Sequence, residues 1–376
     1  MKKTLAAVAV LGAFAGSTLA ADVTLYGRID TGFQYHHWDD SLKVTGAKTI
    51  SENGDEFSME SGSLTGSRVG IKGSEQISEG LTVGFTLEKG FKGDTGSAAS
   101  GFDRESSLHV KTDFGTVYAG RFNSMWSDGG PTGFWASDYM ALGTGNGVAL
   151  GAGLMVGHSR ADNRLAYVSP EFGGFKVYAE YAFGGNGEDE NTSKNDRPAA
   201  LGVNYNAGAF GTGLVVTYLN EKSWDGEADK TLHEQENEYT VNFGTHYDFG
   251  VANVKLGVQY YKNADQGRIG AFSDIVDATQ FKSDELEGYA VGFGADFPLM
   301  GGTLTAGVGY MDGEDKTKNS KVEFKAYDVA SYYQYPSSKR TKVYAGVGYS
   351  KLEAEDEGFK AESEAYKAMT GLAHYF

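Results

Sequence analysis

The sequence lacks cysteine entirely and carries only 5 prolines in 376 residues. The absence of cysteine excludes a disulfide framework, a thiolate metal site and a cysteine nucleophile. Beyond residue 20, no apolar run is long enough to cross a membrane as a helix, and helical periodicity is nowhere sustained. Basic residues are in the minority, with 33 Lys and Arg against 50 Asp and Glu, and the net charge of -17 argues against a nucleic-acid surface.

The first twenty residues have the layout of a secretory signal. Two lysines precede an apolar run from Leu5 to Phe14, and small residues follow that run. The run is too short for a membrane-spanning helix and is interrupted by glycine. We therefore expect residues 1–20 to be a signal peptide that is cleaved on export, and residues 21–376 to form one domain.

The chain is rich in glycine and aromatic residues, with 54 Gly, 23 Tyr and 22 Phe. Most of it alternates apolar and polar residues with a period of two. In residues 81–88 one face carries Leu81, Val83, Phe85 and Leu87, and the other carries Thr82, Gly84, Thr86 and Glu88. The same alternation recurs at residues 175–183, 214–218, 256–260, 304–310 and 343–349. Such segments are strands with one apolar and one polar face, so the fold is predicted to be all-β.

The connections between these strands are of two kinds. Short ones, rich in Gly, Pro, Asp and Ser, lie at residues 112–115, 169–174, 207–211, 247–250 and 336–340, whereas the long ones are acidic and polar. Together they predict about sixteen strands with eight short turns and eight long loops, the asymmetry of outer-membrane barrels. A soluble β-sandwich or β-helix would also alternate, but it would not sort its connections by length.

Several stretches, in their order along the chain, carry a resemblance to a known family: "ADVTLYGRIDTGF", "GSRVGIKGSEQISEGLTVGFTLE", "DFGTVYAGR", "ADNRLAYVSPEFGGFKVYAEYAFG" and the terminal "GLAHYF". Together they resemble the general diffusion porins of Gram-negative bacteria, particularly the betaproteobacterial type. The resemblance implies a 16-stranded antiparallel transmembrane β-barrel with short periplasmic turns, long extracellular loops and a third loop folded into the pore. It also implies a homotrimer in the outer membrane.

The same resemblance implies the partners of the chain. They are outer-membrane lipid and lipopolysaccharide, the barrel-assembly machinery, and the small hydrophilic solutes and ions that pass through the pore. No cofactor, metal or nucleic acid is expected. In the family the last strand ends in Phe and serves as the assembly signal, a role that here falls to an outward stripe of Leu372, His374 and Phe376. Physically, the last strand must pair with the first, because unpaired backbone groups in lipid are costly.

The longest stretch without strand periodicity runs from residue 122 to residue 157. Loops of this length in a compact fold are normally functional, and the resemblance implies that this one narrows the pore. Its candidate constriction residues are two acids, Asp128 and Asp138, and three aromatic residues, Trp126, Trp135 and Tyr139.

A basic wall is expected to face this loop. Alternation places Arg28, Arg68 and Arg160 inward, and these positions match the arginine or lysine cluster of the family. A fourth match, Arg104, shares parity with outward-facing residues of its strand, so it requires a bulge or a position above the apolar band. Arg121 and Arg164 are second-tier candidates for the lumen.

These features predict a water-filled channel for passive diffusion of small hydrophilic solutes and ions, and no enzymatic activity. The two loop acids are expected to offset the arginines and leave only weak ion preference. One alternative is a substrate-specific channel for a sugar or an organic anion, in which the three loop aromatics stack on the solute. A barrel enzyme such as an outer-membrane lipase is a further alternative, although no serine, histidine and aspartate set stands out on the strands.

Overall fold

The computed structural model describes residues 22–143, 146–157, 159–184, 196–220, 236–265, 285–317 and 322–376. The expected signal peptide, residues 1–20, lies outside this part of the chain. The strands are β1 Thr24–Val44, β2 Ile50–Ser61, β3 Arg68–Ser78, β4 Leu81–Gly90, β5 Glu105–Thr112, β6 Gly115–Asn123, β7 Arg160–Val168, β8 Phe175–Ala182, β9 Arg197–Ala207, β10 Phe210–Asn220, β11 Glu238–Asp248, β12 Asn253–Ala264, β13 Leu286–Leu299, β14 Gly302–Asp315, β15 Glu323–Pro336, β16 Thr341–Asp356 and β17 Phe359–Tyr375. Two short helices lie between β6 and β7: α1 Trp135–Tyr139 and a 3₁₀ turn Gly151–Leu154.

These segments form a closed 16-stranded antiparallel barrel, because β2 and β3 are two halves of one barrel strand. The upper part of β1 pairs with β2, from Thr31 opposite Ser61 to Leu42 opposite Ile50. Its lower part pairs with β3 over residues 24–28. Residues 62–67, between β2 and β3, leave the ladder, and they are called the β2–β3 interruption below.

The barrel closes where β17 pairs with β1, from Arg28 opposite Tyr375 to Val44 opposite Phe359. One residue beyond this ladder, Gly27 and Phe376 exchange two backbone hydrogen bonds of 3.1 Å. The last residue therefore completes the closing ladder. Closure leaves no open sheet edge, which is a requirement for β-structure in lipid.

The two faces of the wall follow the alternation predicted from the sequence. Outward positions carry large exposed apolar side chains, among them Leu108, Leu201, Phe293, Val308 and Val347. Inward positions are largely buried and many are small or polar, as in β14, where Thr305 and several glycines alternate with the outward residues. Some inward residues, such as Met311, are larger and apolar. No helix in the described part of the chain is long and apolar enough to cross a membrane.

The connections differ between the two ends of the barrel. Within the described residues, seven short turns join strands at one end, and the four shortest leave two residues between strands: Ser78 to Leu81, Thr112 to Gly115, Ala207 to Phe210 and Leu299 to Gly302. In place of the expected eighth turn, the start of β1 and the C-terminal residue Phe376 lie side by side at this end. At the other end, the β1–β2 and β16–β17 connections are also tight, because these strands extend further instead of giving way to long loops.

Candidate functional site

The β6–β7 connection, residues 124–159, folds back into the barrel and is called the inner loop below. Helix α1 packs against β10, β11 and β12, and the 3₁₀ turn packs against β13, β14 and β15. The two short helices of the inner loop thus follow the interior wall from β10 to β15. The long connection predicted between residues 122 and 157 is this inner loop.

The inner loop packs against a row of glycines on the interior wall. On five consecutive strands, β10 to β14, directly paired inward positions are all glycine: Gly213, Gly244, Gly257, Gly292 and Gly309. A Cβ atom at any of them would collide with the inner loop: Tyr139 covers the first two, Met140 the next two and Leu154 the last. The missing side chains therefore let the inner loop approach the backbone of the wall, where it gains close packing.

Two buried polar side chains of the wall fasten the backbone of the inner loop. Gln259 of β12 accepts a hydrogen bond from the Val156 N–H (2.7 Å) and donates one to the Val156 carbonyl (3.0 Å). Asp328 of β15 accepts hydrogen bonds from the N–H groups of Leu150 and Gly151, at 3.0 and 2.9 Å. These backbone groups would otherwise be buried without a partner, so the wall residues both satisfy and position them.

The three aromatic residues proposed for the constriction are buried. Trp135 and Tyr139 have no exposed surface, and Trp126 is 5% exposed. Trp126 and Trp135 stack with ring centroids 6.4 Å apart. The rings fill the space between the inner loop and the wall, so Trp135 and Tyr139 leave no ring face on which a solute could stack.

The β2–β3 interruption is held inside the barrel by Asp30 of β1, which is fully buried. Its carboxylate accepts hydrogen bonds from the N–H groups of Leu64 (3.0 Å) and Thr65 (2.7 Å) and from the hydroxyl of Tyr344 (2.6 Å). The carbonyl of Ser63 in turn accepts a hydrogen bond from the Gly147 N–H of the inner loop, at 2.8 Å. The interruption and the inner loop are therefore in direct contact.

A cavity of about 540 Å³ lies beside the inner loop. Its lining includes all four arginines of the predicted basic wall, Arg28, Arg68, Arg104 and Arg160, together with Trp126 and Asp128 of the inner loop. The remaining lining comes from the β2–β3 interruption, from Asn123 at the end of β6 and from further residues of the inner loop. The four sequence-derived arginines, from separate parts of the chain, are thus brought to one place.

Glu88 of β4 is the principal carboxylate of this arginine cluster, and the sequence analysis did not single it out. It accepts hydrogen bonds from Arg104 Nε at 2.8 Å and from Arg68 at 3.3 Å. Arg104 lies in the bend before β5, which begins at Glu105, and its N–H donates to the Glu88 carbonyl. Arg104 thus precedes β5, so the alternation of that strand does not fix its direction, and the pairing of β4 with β5 shows no bulge.

Arg160 reaches the cavity for a reason other than the predicted one. Strands β6 and β7 shift register between Gly120 and Phe122, and Asn163 has a φ of 53°. The extra residue is a β-bulge, which Asn tolerates well at positive φ. Because of this bulge, the inward position of Ala166 does not imply that Arg160 also points inward. Arg160 is instead placed by its position at the start of β7, where its Nε donates to the Arg104 carbonyl at 2.9 Å.

The two second-tier arginines lie outside the lining of the cavity. Arg121 forms an ion pair of 2.7 Å with Asp162. Arg164 is buried, 3.8 Å from the Glu180 carboxylate. Glu180 also accepts a hydrogen bond from the Met125 N–H at 3.3 Å, so this buried pair supports the beginning of the inner loop.

The two acids of the inner loop are separated. Asp128 is exposed and lines the arginine cavity. Asp138 lies in α1, is not among the lining residues, and accepts a long hydrogen bond of 3.4 Å from Asn204 of β9. Burial raises the pKa of the Asp138 carboxyl above its usual value. Only one of the two expected acids therefore faces the arginines.

The proposed assembly stripe lies on the outer face of β17. Leu372 and Phe376 are each 45% exposed, and His374 forms a hydrogen bond of 2.9 Å with Thr341 on the neighbouring strand. Their outward orientation agrees with the parity predicted from the sequence. Their role as an assembly signal remains a prediction.

The residues that the sequence analysis missed are Glu88, Asp30, Gln259 and Asp328. All four are polar residues on inward faces of strands, and Glu88 had been placed on the polar face of β4. The signal was thus present in the alternation, but only the pairing register shows which inward residues meet the inner loop or the arginines.

Comparison with known proteins gives a consistent result. Residues 6–355 match the family described as Gram-negative porin. An outer membrane porin protein of Bordetella pertussis is 30% identical and an outer membrane porin protein of Delftia acidovorans 27% identical; both align over 98–100% of each chain. Among solved structures, the anion-selective porin from Comamonas acidovorans superposes with a TM-score of 0.66 at 21% identity, covering 95% of this chain and 100% of that one.

Proposed function

Because the chain belongs to the Gram-negative porin family and is an outer-membrane porin, we propose that it passes small hydrophilic solutes and ions by passive diffusion, through a passage between the inner loop and the arginine cluster. The observation that carries this proposal is the cavity of about 540 Å³ bounded by both. Its lining is mostly polar, which suits solutes that keep part of their hydration shell, whereas an apolar solute would have to displace ordered water without replacing its hydrogen bonds.

The passage prefers small anions. Among the residues that the structure describes, four arginines and one carboxylate, that of Asp128, line it, and Asp138 is not part of this lining. Glu88 reduces the positive charge but does not reverse it, because it pairs with two of the four arginines. The expectation of only weak ion preference counted both loop acids as facing the arginines. The similar Comamonas acidovorans protein is described as anion-selective.

The assembly around this channel is proposed from the same family membership. The functional unit is a homotrimer, as a solved Vibrio cholerae outer membrane protein of the same fold is described in a trimer form. The outward apolar band contacts outer-membrane lipid and lipopolysaccharide, residues 1–20 are removed on export, and the C-terminal strand is recognised by the barrel-assembly machinery.

Two alternatives are less well supported. A channel whose specificity depends on Trp126, Trp135 and Tyr139 would need these rings in the passage, but two of them are fully buried. An enzymatic role has no support from the arginine cavity, whose charged groups form ion pairs and backbone hydrogen bonds, and the chain is proposed to have none.

Liposome swelling tests the proposal. Vesicles containing the purified protein should swell in isotonic solutions of amino acids of increasing size, at rates that fall smoothly with size and do not saturate with concentration. Vesicles without protein provide the baseline, and an ester hydrolysis assay on the same preparation should remain at that baseline. Saturation by one amino acid class, or lipid ester turnover, would contradict general diffusion.

A further inference from the structure

A second cavity, of about 320 Å³, lies inside the barrel and shares no lining residue with the arginine cavity. It is built by inward residues of β1, β2, β16 and β17, and Leu150 of the inner loop forms part of its lining. Its β1 residues, 36–40, lie beyond Arg28 towards the end of the barrel where the inner loop enters. The cavity is therefore part of the vestibule on that side, and its volume falls at the small end of ligand sites.

An aromatic platform forms one side of this vestibule cavity. Trp38 is paired with Gly54 on β2, and a Cβ atom at Gly54 would collide with the indole ring. The glycine thus allows the indole to lie against the backbone of the wall. The ring of His36 lies next to it, with centroids 5.3 Å apart. A flat ring on the wall of a water-filled vestibule is a surface for a solute with an apolar face.

A carboxylate oxygen in the same cavity lacks a partner. Asp40 Oδ1 is buried and has no hydrogen-bond partner among the residues that the structure describes. Burying such an oxygen without a hydrogen bond is unfavourable, and more so for a charged group. A ligand hydroxyl that donates to this oxygen would recover that cost. This observation is independent of the aromatic platform and points to the same cavity.

The remaining polar lining has both signs of charge. Glu56 adds a second carboxylate, whereas Lys367 adds an ammonium group and Ser350 and Ser363 add hydroxyls. The two carboxylates disfavour an anion, and the ammonium group offsets part of their attraction for a cation. Neutral hydroxyl groups can both donate to the carboxylates and accept from Lys367, so they fit this mixture best.

We propose that the vestibule cavity is a weak binding site for a neutral sugar of one ring, which stacks an apolar face on Trp38 and donates a hydroxyl to Asp40. This inference rests on the proposed channel function, because the site lies along the route into it. The site concentrates sugars at the channel mouth without closing the channel to other solutes.

Single-channel recording with D-glucose tests this inference. Glucose should reduce the ion current of the wild-type channel with a saturating dependence on concentration. Polyethylene glycol of similar size controls for displaced electrolyte, and its effect should be linear. Asp40→Asn and Trp38→Ala should each raise the half-saturating glucose concentration at least tenfold, measured relative to each variant's own current without sugar. Gly54→Ala should have a similar effect by pushing the indole off the wall.

The matched control is Asp39→Asn, the same change at the adjacent, exposed position on the outer face of β1. It should leave glucose saturation as in the wild type. A linear glucose effect equal to that of the polymer, or equal effects of Asp39→Asn and Asp40→Asn, would overturn the sugar site while leaving the channel function intact. A protein that gives no ion current at all would instead count against the proposed function.

Discussion

Arg28 and Arg68 are direct cross-strand partners on β1 and β3, and the Nε atoms of both donate to the carbonyl oxygen of Gly66, at 3.3 and 3.1 Å. Like charges placed opposite each other normally destabilise a sheet. Here the carbonyl of the β2–β3 interruption and the carboxylate of Glu88 offset the repulsion. The two guanidinium groups are therefore held at fixed positions beside the cavity. The arginine side chains need not change conformation before their charge acts on a passing solute.

The interruption should depend on Asp30. Asp30→Ala removes the acceptor for two backbone N–H groups and for the Tyr344 hydroxyl, so we expect a loss of about 1–3 kcal/mol per buried donor left unsatisfied. Urea unfolding of the purified protein, followed by tryptophan fluorescence, measures the effect. Asp39→Ala, on the exposed side of the same strand, is the control and should stay within about 0.5 kcal/mol of the wild type. Equal stability of the two variants would mean that Asp30 does not hold the interruption.

The glycine row should be required for the position of the inner loop. In Gly244→Ala the new methyl group collides with Tyr139, so the inner loop must lift from the wall, at a cost of about 1–3 kcal/mol. We expect a lower unfolding temperature and a smaller, noisier single-channel conductance, because the displaced inner loop moves towards the arginines and narrows the passage. Gly358→Ala, where nothing lies within 4 Å of the added atom, is the matched control. Wild-type conductance in the first variant would show that the inner loop does not set the width of the passage.

Phe376 is expected to act in assembly rather than in conduction. Deleting it removes both the two backbone hydrogen bonds with Gly27 and the exposed ring, so the yield of folded trimer on unheated gels should fall sharply. Phe376→Ala keeps the backbone pairing and removes only the ring. If recognition depends on the ring, both variants should assemble poorly, whereas a defect of the deletion alone would assign the effect to closure. Normal trimer yield from both would refute the proposed role.

The sequence predicts the wall of this barrel well, because apolar residues that face lipid alternate along each strand with polar or small residues that face the lumen. Counting alternate residues along a strand is enough to assign the outward faces of β8, β14 and β16. It is also enough to place Arg28 and Arg68 inward. The closing strand follows as well, because a barrel in lipid cannot leave an edge unpaired.

Parity failed where the chain departs from regular pairing. The bulge at Asn163 and the bend before Glu105 change which face a residue occupies, and neither has an unambiguous local sequence signal. The burial of Trp135 and Tyr139 depends on glycines that are far apart in sequence and adjacent only in the folded sheet. Such a row becomes visible only when the register of five strands is known, which alternation does not specify.

Solutes are proposed to pass beside the arginine cluster, so the reversal potential in a salt gradient should depend on the charge of these arginines. In a planar bilayer with a tenfold KCl gradient, the wild-type channel should show a reversal potential on the anion-selective side. Arg28→Glu should shift it clearly towards cations, because a charge in a narrow lumen acts through an effective dielectric of about 20, far below that of water. Lys48→Glu makes the same charge change in the exposed β1–β2 connection, where screening over about 8 Å at physiological ionic strength should leave the potential almost unchanged. Equal shifts from the two variants, or no shift from Arg28→Glu, would contradict a passage lined by these arginines.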